Sequence, residues 1–148
     1  GSSITFNDNT TQNTSAYGGG FAFRNRIING DMRIDQRNAG ASVTATGYNV
    51  DRWQYQASQA SKFNIQQNAG SVTPPAGFNN YLGLTVSSAV TIGSGDYFFI
   101  RQYLEGYNSS DFNFGTANAQ TLTISFWVRS SLTGSFGGSA PDSLACLA

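Results

Sequence analysis

Five aromatic and cationic side chains in the second half of the chain could together bind a sugar. They occupy odd positions of two short stretches and are Tyr97, Arg101, Tyr103, Trp127 and Arg129. Sugars bind by laying their C–H faces on aromatic rings, while planar polar side chains fix their hydroxyl groups. If both stretches lie on one sheet, these residues predict a ligand-binding surface. The alternative, which the residues leave equally open, is that the linker, another subunit or further strands cover this face.

The second of these stretches, residues 121–131, carries the clearest strand pattern in the sequence. Leu122, Ile124, Phe126 and Val128 share one parity, and polar residues with Trp127 take the other. Successive side chains of a β-strand point to opposite faces, so one face of this segment is apolar. β-Branched and aromatic residues dominate it, without proline or glycine. The pattern predicts a central strand whose even positions lie in the core.

Further segments with the same period of two lie upstream, at residues 48–56, 62–66, 81–87 and 96–105. Gly, Pro and Asn turn signals separate them, and only a single turn near residues 110–112 is predicted to be helical. The sequence therefore predicts an all-β fold, an antiparallel jelly-roll-like β-sandwich that is incomplete at its C-terminal end. Its predicted core consists of Leu82, Leu84, Val86, Phe98, Ile100, Leu122, Ile124, Phe126 and Val128. Gln102 falls among them as an interior polar group that needs partners.

Glycines divide the chain into three predicted parts. Residues 1–20 form a short N-terminal segment that ends in the linker Gly18–Gly20, residues 21–134 form the β-sandwich domain, and residues 135–148 form an irregular tail. The chain does not open with Met, and the tail lacks any alternating apolar pattern. We therefore expect a piece of a longer protein or a chain completed by its neighbours.

The composition argues against several classes of function. Only 11% of the residues are charged and the net charge is zero, which gives no electrostatic basis for binding nucleic acid. No apolar run approaches the ~20 residues of a membrane-spanning helix, so we predict no membrane insertion. The chain has no histidine, and its eight acidic residues are scattered. We therefore predict no enzyme, no catalytic residues and no cofactor.

Four segments in this order resemble a domain common in bacteriophage tail fibres and other minor virion proteins. They are residues 25–37 (NRIINGDMRIDQR), 51–53 (DRW), 102–105 (QYLE) and 121–129 (TLTISFWVR). The opening residues 4–12 (ITFNDNTTQ) are also similar to a segment frequent in phage fibres. The resemblance covers about residues 24–133 and extends to the jelly roll of carbohydrate-binding modules, whose first strand often reads Asn-Gly-Asp-Phe.

The resemblance to those modules also raises the question of calcium. In the modules an acidic residue often follows the Asn-Gly-Asp-aromatic group and helps to hold the ion, whereas Met32 and Arg33 stand here. Asn29, Asp31 and Asp35 could supply oxygen ligands, but three oxygens fall short of a calcium shell. We favour a turn in which Asp31 caps local backbone groups, and predict no metal site. We likewise expect a core Trp53, with Asp51 paired to a neighbouring arginine.

The sequence is compatible with three functions. The first is a non-enzymatic virion component for structure and host-surface attachment, located in the phage particle, with other virion chains as partners, a homotrimeric assembly and a host glycan as possible ligand. The second is a carbohydrate-binding module of a secreted bacterial enzyme. The third, a polysaccharide-degrading tail protein, ranks last because no reactive arrangement of side chains is visible.

Overall fold

The computed structural model describes residues 4–12 and 25–140 of the chain. Its strands are β1 (Ile4–Thr5), β2 (Thr11–Gln12), β3 (Gly47–Tyr48), β4 (Gln54–Ala57), β5 (Phe63–Gln67), β6 (Leu82–Val86) and β7 (Phe98–Arg101). Helical structure is limited to 3-10 helices at Ala69–Ser71 and Ser110–Phe112 and a single turn, α1, at Gly106–Ser109, among the described residues. The predicted linker and the end of the predicted tail lie outside these residues.

All strand pairs of the described chain are antiparallel. β1 pairs with β2, β5 pairs with β6, and β4 lies between β3 and β7. The register sets Tyr55 of β4 opposite Ile100 of β7, and Gln54 opposite Arg101. Opposed residues point to the same side of a sheet, so Tyr55 and Ile100 share one face and Gln54 and Arg101 share the other. The predicted β-rich, antiparallel class is confirmed.

The best-buried side chains lie between β4 and β5. Val50, Tyr55 and Ile65 are almost completely buried. The ring of Phe63 on β5 contacts Tyr55 edge-on, with 6.3 Å between centroids, and lies 5.4 Å from the ring of Phe98 on β7. Edge-to-face aromatic contacts of this kind stabilise a core beyond the area they bury. These rings connect the β3–β4–β7 sheet to the β5–β6 sheet.

Gln102 joins β7 to the turn at Asn29–Gly30. Its side-chain amide donates to the carbonyl of Ile28 (2.8 Å) and accepts from the N–H of Ile28 (2.9 Å), as a neighbouring strand would. The turn itself closes with the Met32 N–H donating to the Asn29 carbonyl, and Asn29 has a φ of 54°. The predicted turn and the predicted need of Gln102 for partners are both confirmed, although residues 27–34 form no strand.

A buried arginine fastens the segment after β7 to the start of the domain. Arg26, whose side chain is 8% exposed, donates to the carboxylate of Asp111 and to the carbonyl of Asn108. Its guanidinium also lies over the ring of Phe112, 4.9 Å from the centroid. Because a buried guanidinium needs both charge and hydrogen-bond partners, this set of contacts holds residues 108–112 in place.

The central strand predicted at residues 121–131 does not form in the described structure. Residues 121–130 belong to no strand of the described chain, and Phe126 and Trp127 are 74% and 75% exposed. Ile124 and Val128 are also largely exposed, and only Leu122 is partly covered. An alternating pattern makes a segment suitable for pairing, but a strand forms only where a neighbouring strand supplies backbone partners. Residues 121–130 have no such neighbour in the described structure.

The predicted core on β6 is also more open than expected. The register with β5 places Leu82, Leu84 and Val86 on one face, as predicted, because they oppose Gln67, Ile65 and Phe63. However, Leu84 and Val86 remain exposed and Leu82 is half-buried. The parity was therefore right and the burial was wrong. Ile65 on the same face is buried, so the layer that covers β5 does not extend over Leu84 and Val86 of β6.

Candidate functional site

The outward face of the β3–β4–β7 sheet carries three of the five predicted site residues. Tyr48, Gln54 and Arg101 are aligned across the three strands by the backbone pairing. Along β7 and its extensions, side chains alternate, so Tyr97, Phe99, Arg101 and Tyr103 share this side, while Phe98 and Ile100 turn inward. Gln56, which opposes Phe99, points to this side as well. We use the name Arg101 face for six of the outward side chains: Tyr48, Gln54, Tyr97, Phe99, Arg101 and Tyr103.

Arg101 is held in a defined position at the centre of this face. Its Nε donates to the Oε1 of Gln54 at 2.8 Å. The guanidinium carbon lies 4.6 Å from the ring centroid of Tyr103 and 5.3 Å from that of Phe99. Both distances are within the range of a cation–π interaction. The planar guanidinium therefore lies between two rings, with one amide fixing its orientation.

Tyr97 extends the aromatic row beyond Phe99. The two rings stack with 5.5 Å between centroids and 29° between planes. The Tyr97 backbone is fixed as well, because its carbonyl accepts from the Ser58 N–H at 2.9 Å and its N–H donates to the Ser58 hydroxyl at 3.1 Å. Tyr97, Phe99 and Tyr103 all remain substantially exposed. The row thus presents three partly exposed rings on a backbone that hydrogen bonds hold in place.

The carboxylate next to this end of the row is already engaged. Asp96 accepts from the Ser58 hydroxyl at 2.6 Å, from the Gln59 amide at 2.9 Å and from the Gly93 N–H at 2.9 Å. The Ser58 hydrogen bond, followed by that of Gly93, holds the pKa of Asp96 below its ordinary value. Asp96 therefore stays ionised and is directed into its own loop.

The other end of the row is secured by an ion pair. Arg52 donates to the Tyr103 carbonyl at 3.1 Å and to the carboxylate of Glu105. The pKa of Glu105 is lowered first by its own backbone N–H and then by Arg52. Asp51, next to Arg52 in the sequence, accepts a hydrogen bond from the Gln36 N–H. The predicted ion pair of Asp51 with an arginine is not found among the described residues.

Trp127 and Arg129 lie apart from the Arg101 face. Both are exposed in residues 121–130, and no hydrogen bond or ring contact joins either of them to the face in the described structure. The predicted grouping depended on residues 97–104 and 121–130 sharing one sheet, and the described structure does not pair these segments.

Sequence reasoning missed three members of the face. Phe99 has the same parity as Tyr97 and Arg101, so the alternation alone could have included it. Tyr48 and Gln54 carried no local signal, because only the pairing of β3, β4 and β7 brings them beside Arg101. Trp53 was expected in the core; it is half-buried and its indole N–H donates to the Asn29 carbonyl at 3.0 Å.

The oxygens considered as metal ligands mostly serve the backbone. Asp35 accepts from the N–H groups of Asn38 and Gly40, and Asn29 exchanges hydrogen bonds with the backbone of Ile34. Asp31 instead pairs with Arg33 at 3.1 Å, so the local capping expected of Asp31 is performed by Asp35. Within residues 4–12 and 25–140 there is no cluster of three acidic, Cys or His residues.

Comparisons of the chain with protein-family models, curated proteins and solved structures each returned no match. None of the helices in the described residues is long and apolar enough to cross a membrane.

Proposed function

We propose that this chain is a non-enzymatic component of a bacteriophage particle, a tail-fibre or appendage domain that attaches to a host-surface glycan. The observation that carries the proposal is the Arg101 face, where a positioned guanidinium lies beside the exposed rings of Phe99 and Tyr103, and the ring of Tyr97 stacks on Phe99. Aromatic rings stack on the C–H faces of sugars, and a fixed planar donor selects among their hydroxyl groups.

Two features of the sequence support the particle context. The segments at residues 25–37, 51–53, 102–105 and 121–129 resemble a domain of phage fibre proteins. The surface is rich in Asn, Gln, Ser and Thr and poor in charge, which suits an extracellular adhesive domain better than an enzyme cleft. The absence of histidine and of paired carboxylates in the sequence also argues against catalysis.

The proposal includes a complete jelly-roll-like sandwich in the assembled protein. In it, further strands or neighbouring copies, in the proposed homotrimer, pair with residues 121–130 and cover the apolar face of β6. Supporting this are the exposed Leu84 and Val86 and the alternating pattern of residues 121–130. An antiparallel sandwich needs both inner faces filled, and an uncovered apolar strand is prone to aggregation.

A glycan array probed with the purified chain tests the proposed activity. We expect binding to a defined group of glycans, and an approximately tenfold or greater loss for Tyr103→Ala and Phe99→Ala, by analogy with base stacking on aromatic rings at about 1–3 kcal/mol per ring. The matched control is Tyr107→Ala, which removes a fully exposed tyrosine outside the sheet. A folded protein that binds nothing on the array would contradict the proposal.

Trp127→Ala, and likewise Arg129→Gln, decide whether residues 121–130 contribute to the same site. Loss of affinity in either variant would mean that this segment reaches the Arg101 face in the bound protein. Unchanged affinity for a confirmed glycan, with the fold intact, removes the substituted residue from the site and leaves the face on the β3–β4–β7 sheet.

The second candidate is a carbohydrate-binding module of a secreted bacterial enzyme. One observation favours it: the six side chains of the Arg101 face come from one small sheet of one chain. The sequence flanking this domain in its parent protein separates the two, because a module adjoins a catalytic domain and a fibre domain adjoins attachment or coiled-coil segments.

A further inference from the structure

Five of the six arginines of the described chain fall into two groups, and the sixth, Arg129, forms neither an ion pair nor a ring contact with a described residue. Arg26, Arg33 and Arg52 each form an ion pair with an aspartate or glutamate. Arg101 and Arg37, by contrast, have no carboxylate partner among the described residues and contact aromatic rings instead. The guanidinium of Arg37 lies over Tyr48, 5.7 Å from the ring centroid, at the β3 side of the Arg101 face.

The acidic residues at the two ends of the row offset only part of this charge. Glu105 is paired with Arg52, whereas Asp96, held by the neutral donors Ser58, Gln59 and the Gly93 N–H, keeps its negative charge. The chain as a whole has a net charge of zero. Arg101 and Arg37 therefore outnumber the one unpaired carboxylate at the end of the row, which favours an anionic ligand at this place.

Arg101 also has hydrogen-bond donors that no described residue uses. Its Nε is used by Gln54, while its two Nη groups make no hydrogen bond with any residue in the described part of the chain. A guanidinium presents paired N–H groups in a fork that matches a carboxylate, and such charge-assisted pairs are about twice as strong as neutral ones. A neutral sugar can accept these hydrogen bonds but leaves the charge uncompensated.

We propose that the ligand of the Arg101 face is an acidic glycan, a polymer containing uronic acid residues. In this arrangement a carboxylate of the glycan accepts from the Nη groups of Arg101, and the sugar rings lie against Tyr97, Phe99 and Tyr103. Gln54 acts as a positioning residue that fixes the guanidinium. The inference depends on the glycan binding proposed above, and it adds the chemical class of the glycan.

A polyanion of another kind is a poorer match. Tight binding of single-stranded nucleic acid needs a groove with several cations along the phosphate backbone, and its strength falls with each phosphate contact that is missing. Only two arginines serve this face among the described residues, whereas a uronic acid polymer can be recognised through a single carboxylate beside a stacked ring.

The test compares two hexasaccharides that differ only in carrying a carboxylate or an alcohol group on each sugar. Isothermal titration calorimetry measures binding of a mannuronic acid hexamer and of the same hexamer after reduction of its carboxyl groups to alcohols. We expect the acidic hexamer to bind about tenfold or more tightly, since a hydrogen bond to a charged group contributes more than a neutral one. We also expect the difference to shrink as salt is raised.

Three variants locate the effect. Arg101→Gln should lower affinity for the acidic hexamer to that for the reduced one, whereas Arg33→Gln, an exposed arginine elsewhere, should change neither. Gln54→Glu places a carboxylate against Arg101 and should lower the affinity for the acidic hexamer about tenfold more than the affinity for the reduced hexamer. A purely structural role of Gln54 would instead weaken both probes equally.

Each other outcome overturns the inference. Equal affinity for both hexamers would leave glycan binding in place but make the acidic class wrong. A preference for acid that survives in Arg101→Gln would mean that Arg101 is not the carboxylate-binding residue. Tighter binding of a dodecamer of thymidylate would identify nucleic acid as the ligand. Binding of neither hexamer also overturns it, and the glycan array then decides separately whether the face binds any sugar.

Discussion

Gln102 shows how one amide can perform the task of a strand residue. Its side chain satisfies both backbone groups of Ile28, at 2.8 and 2.9 Å, although residues 27–28 form no strand. Polar backbone groups away from water need such partners. The pairing also fixes the chain directly after Arg101, and so it contributes to the position of Tyr103 on the Arg101 face.

Gln102→Glu should destabilise the protein by about 0.5–1.5 kcal/mol, because the carboxylate loses the donor of a solvent-exposed hydrogen bond and faces the Ile28 carbonyl. Chemical denaturation monitored by tryptophan fluorescence measures the change. The control is Asn79→Asp, the same amide-to-acid change at an exposed side chain that has no hydrogen bond with the described residues. Equal stability of the two variants would mean that the Gln102 amide contributes nothing.

Asp96 makes the stability of the folded protein depend on pH in the acid range. Its pKa in the folded chain is lowered from 3.8, first by the Ser58 hydroxyl. The stabilisation is therefore present above pH 3.8 and is lost as the pH falls through the lowered pKa. Asp96→Asn should be less stable than the parent near neutral pH, and the two should converge in strong acid, as measured by thermal unfolding across the acid range.

The variant Ser58→Ala tests whether the Ser58 hydroxyl causes the lowered pKa of Asp96. Without the hydroxyl donor, the pKa of the Asp96 carboxyl should rise towards its ordinary value in a carbon-13 NMR titration. An unchanged titration midpoint in Ser58→Ala would assign the shift to the Gly93 and Gln59 contacts instead.

At the scale of elements, β6 is fitted closely to the 3-10 helix at Ala69–Ser71. A Cβ at Gly83 would lie 2.5 Å from the Cβ of Ala69 and 3.3 Å from its nitrogen. Gly83 lies in extended backbone in the middle of β6, where a side chain would otherwise be favoured over glycine. Close approach between the two elements is therefore the reason for this glycine.

Gly83→Ala should destabilise the protein by about 1–3 kcal/mol through overpacking against Ala69. The double variant with Ala69→Gly removes the closest contact and should recover much of the loss, which thermal unfolding can measure. Gly95→Ala is the control, because a Cβ there meets nothing within 4 Å. A stabilised Gly83→Ala variant would show that the helix moves away freely.

At the scale of the whole molecule, many apolar side chains of the described residues are uncovered, and two groups of them lie on strand-like segments. Leu84 and Val86 are exposed on β6, and Ile124, Phe126 and Val128 are exposed in residues 121–130. Soluble monomers seldom expose extended apolar patches without a partner for them. The amphipathic pattern of residues 121–130 suits pairing with an open sheet edge of another copy or of further chain.

We expect the isolated chain to self-associate in sedimentation velocity, with a sedimentation coefficient that rises with protein concentration. Phe126→Ser combined with Val128→Thr should weaken the association, because the apolar side of the segment is lost. Tyr107→Ser, on a turn of helix, is the control. A compact, stable monomer at all concentrations would contradict the proposed dependence on partner chains.

The sequence by itself determined the features that depend on neighbours along the chain. The period of two located β4, β5, β6 and β7 and put Phe98 and Ile100 on the side opposite Arg101, because alternation is a property of each extended segment. Asn9 and Asn29, with positive φ angles, lie in local turns of the kind that asparagine favours.

Only the tertiary structure decided which of these segments meet. Register across β3, β4 and β7 brought Tyr48 and Gln54 to Arg101, and it left Trp127 outside the face. The strongest strand pattern, residues 121–131, forms no strand in the described chain, because backbone hydrogen bonds and a covering layer come from other segments. The local pattern determines which side chains a strand could bury. Pairing with distant segments decides whether the strand forms and whether those side chains are buried.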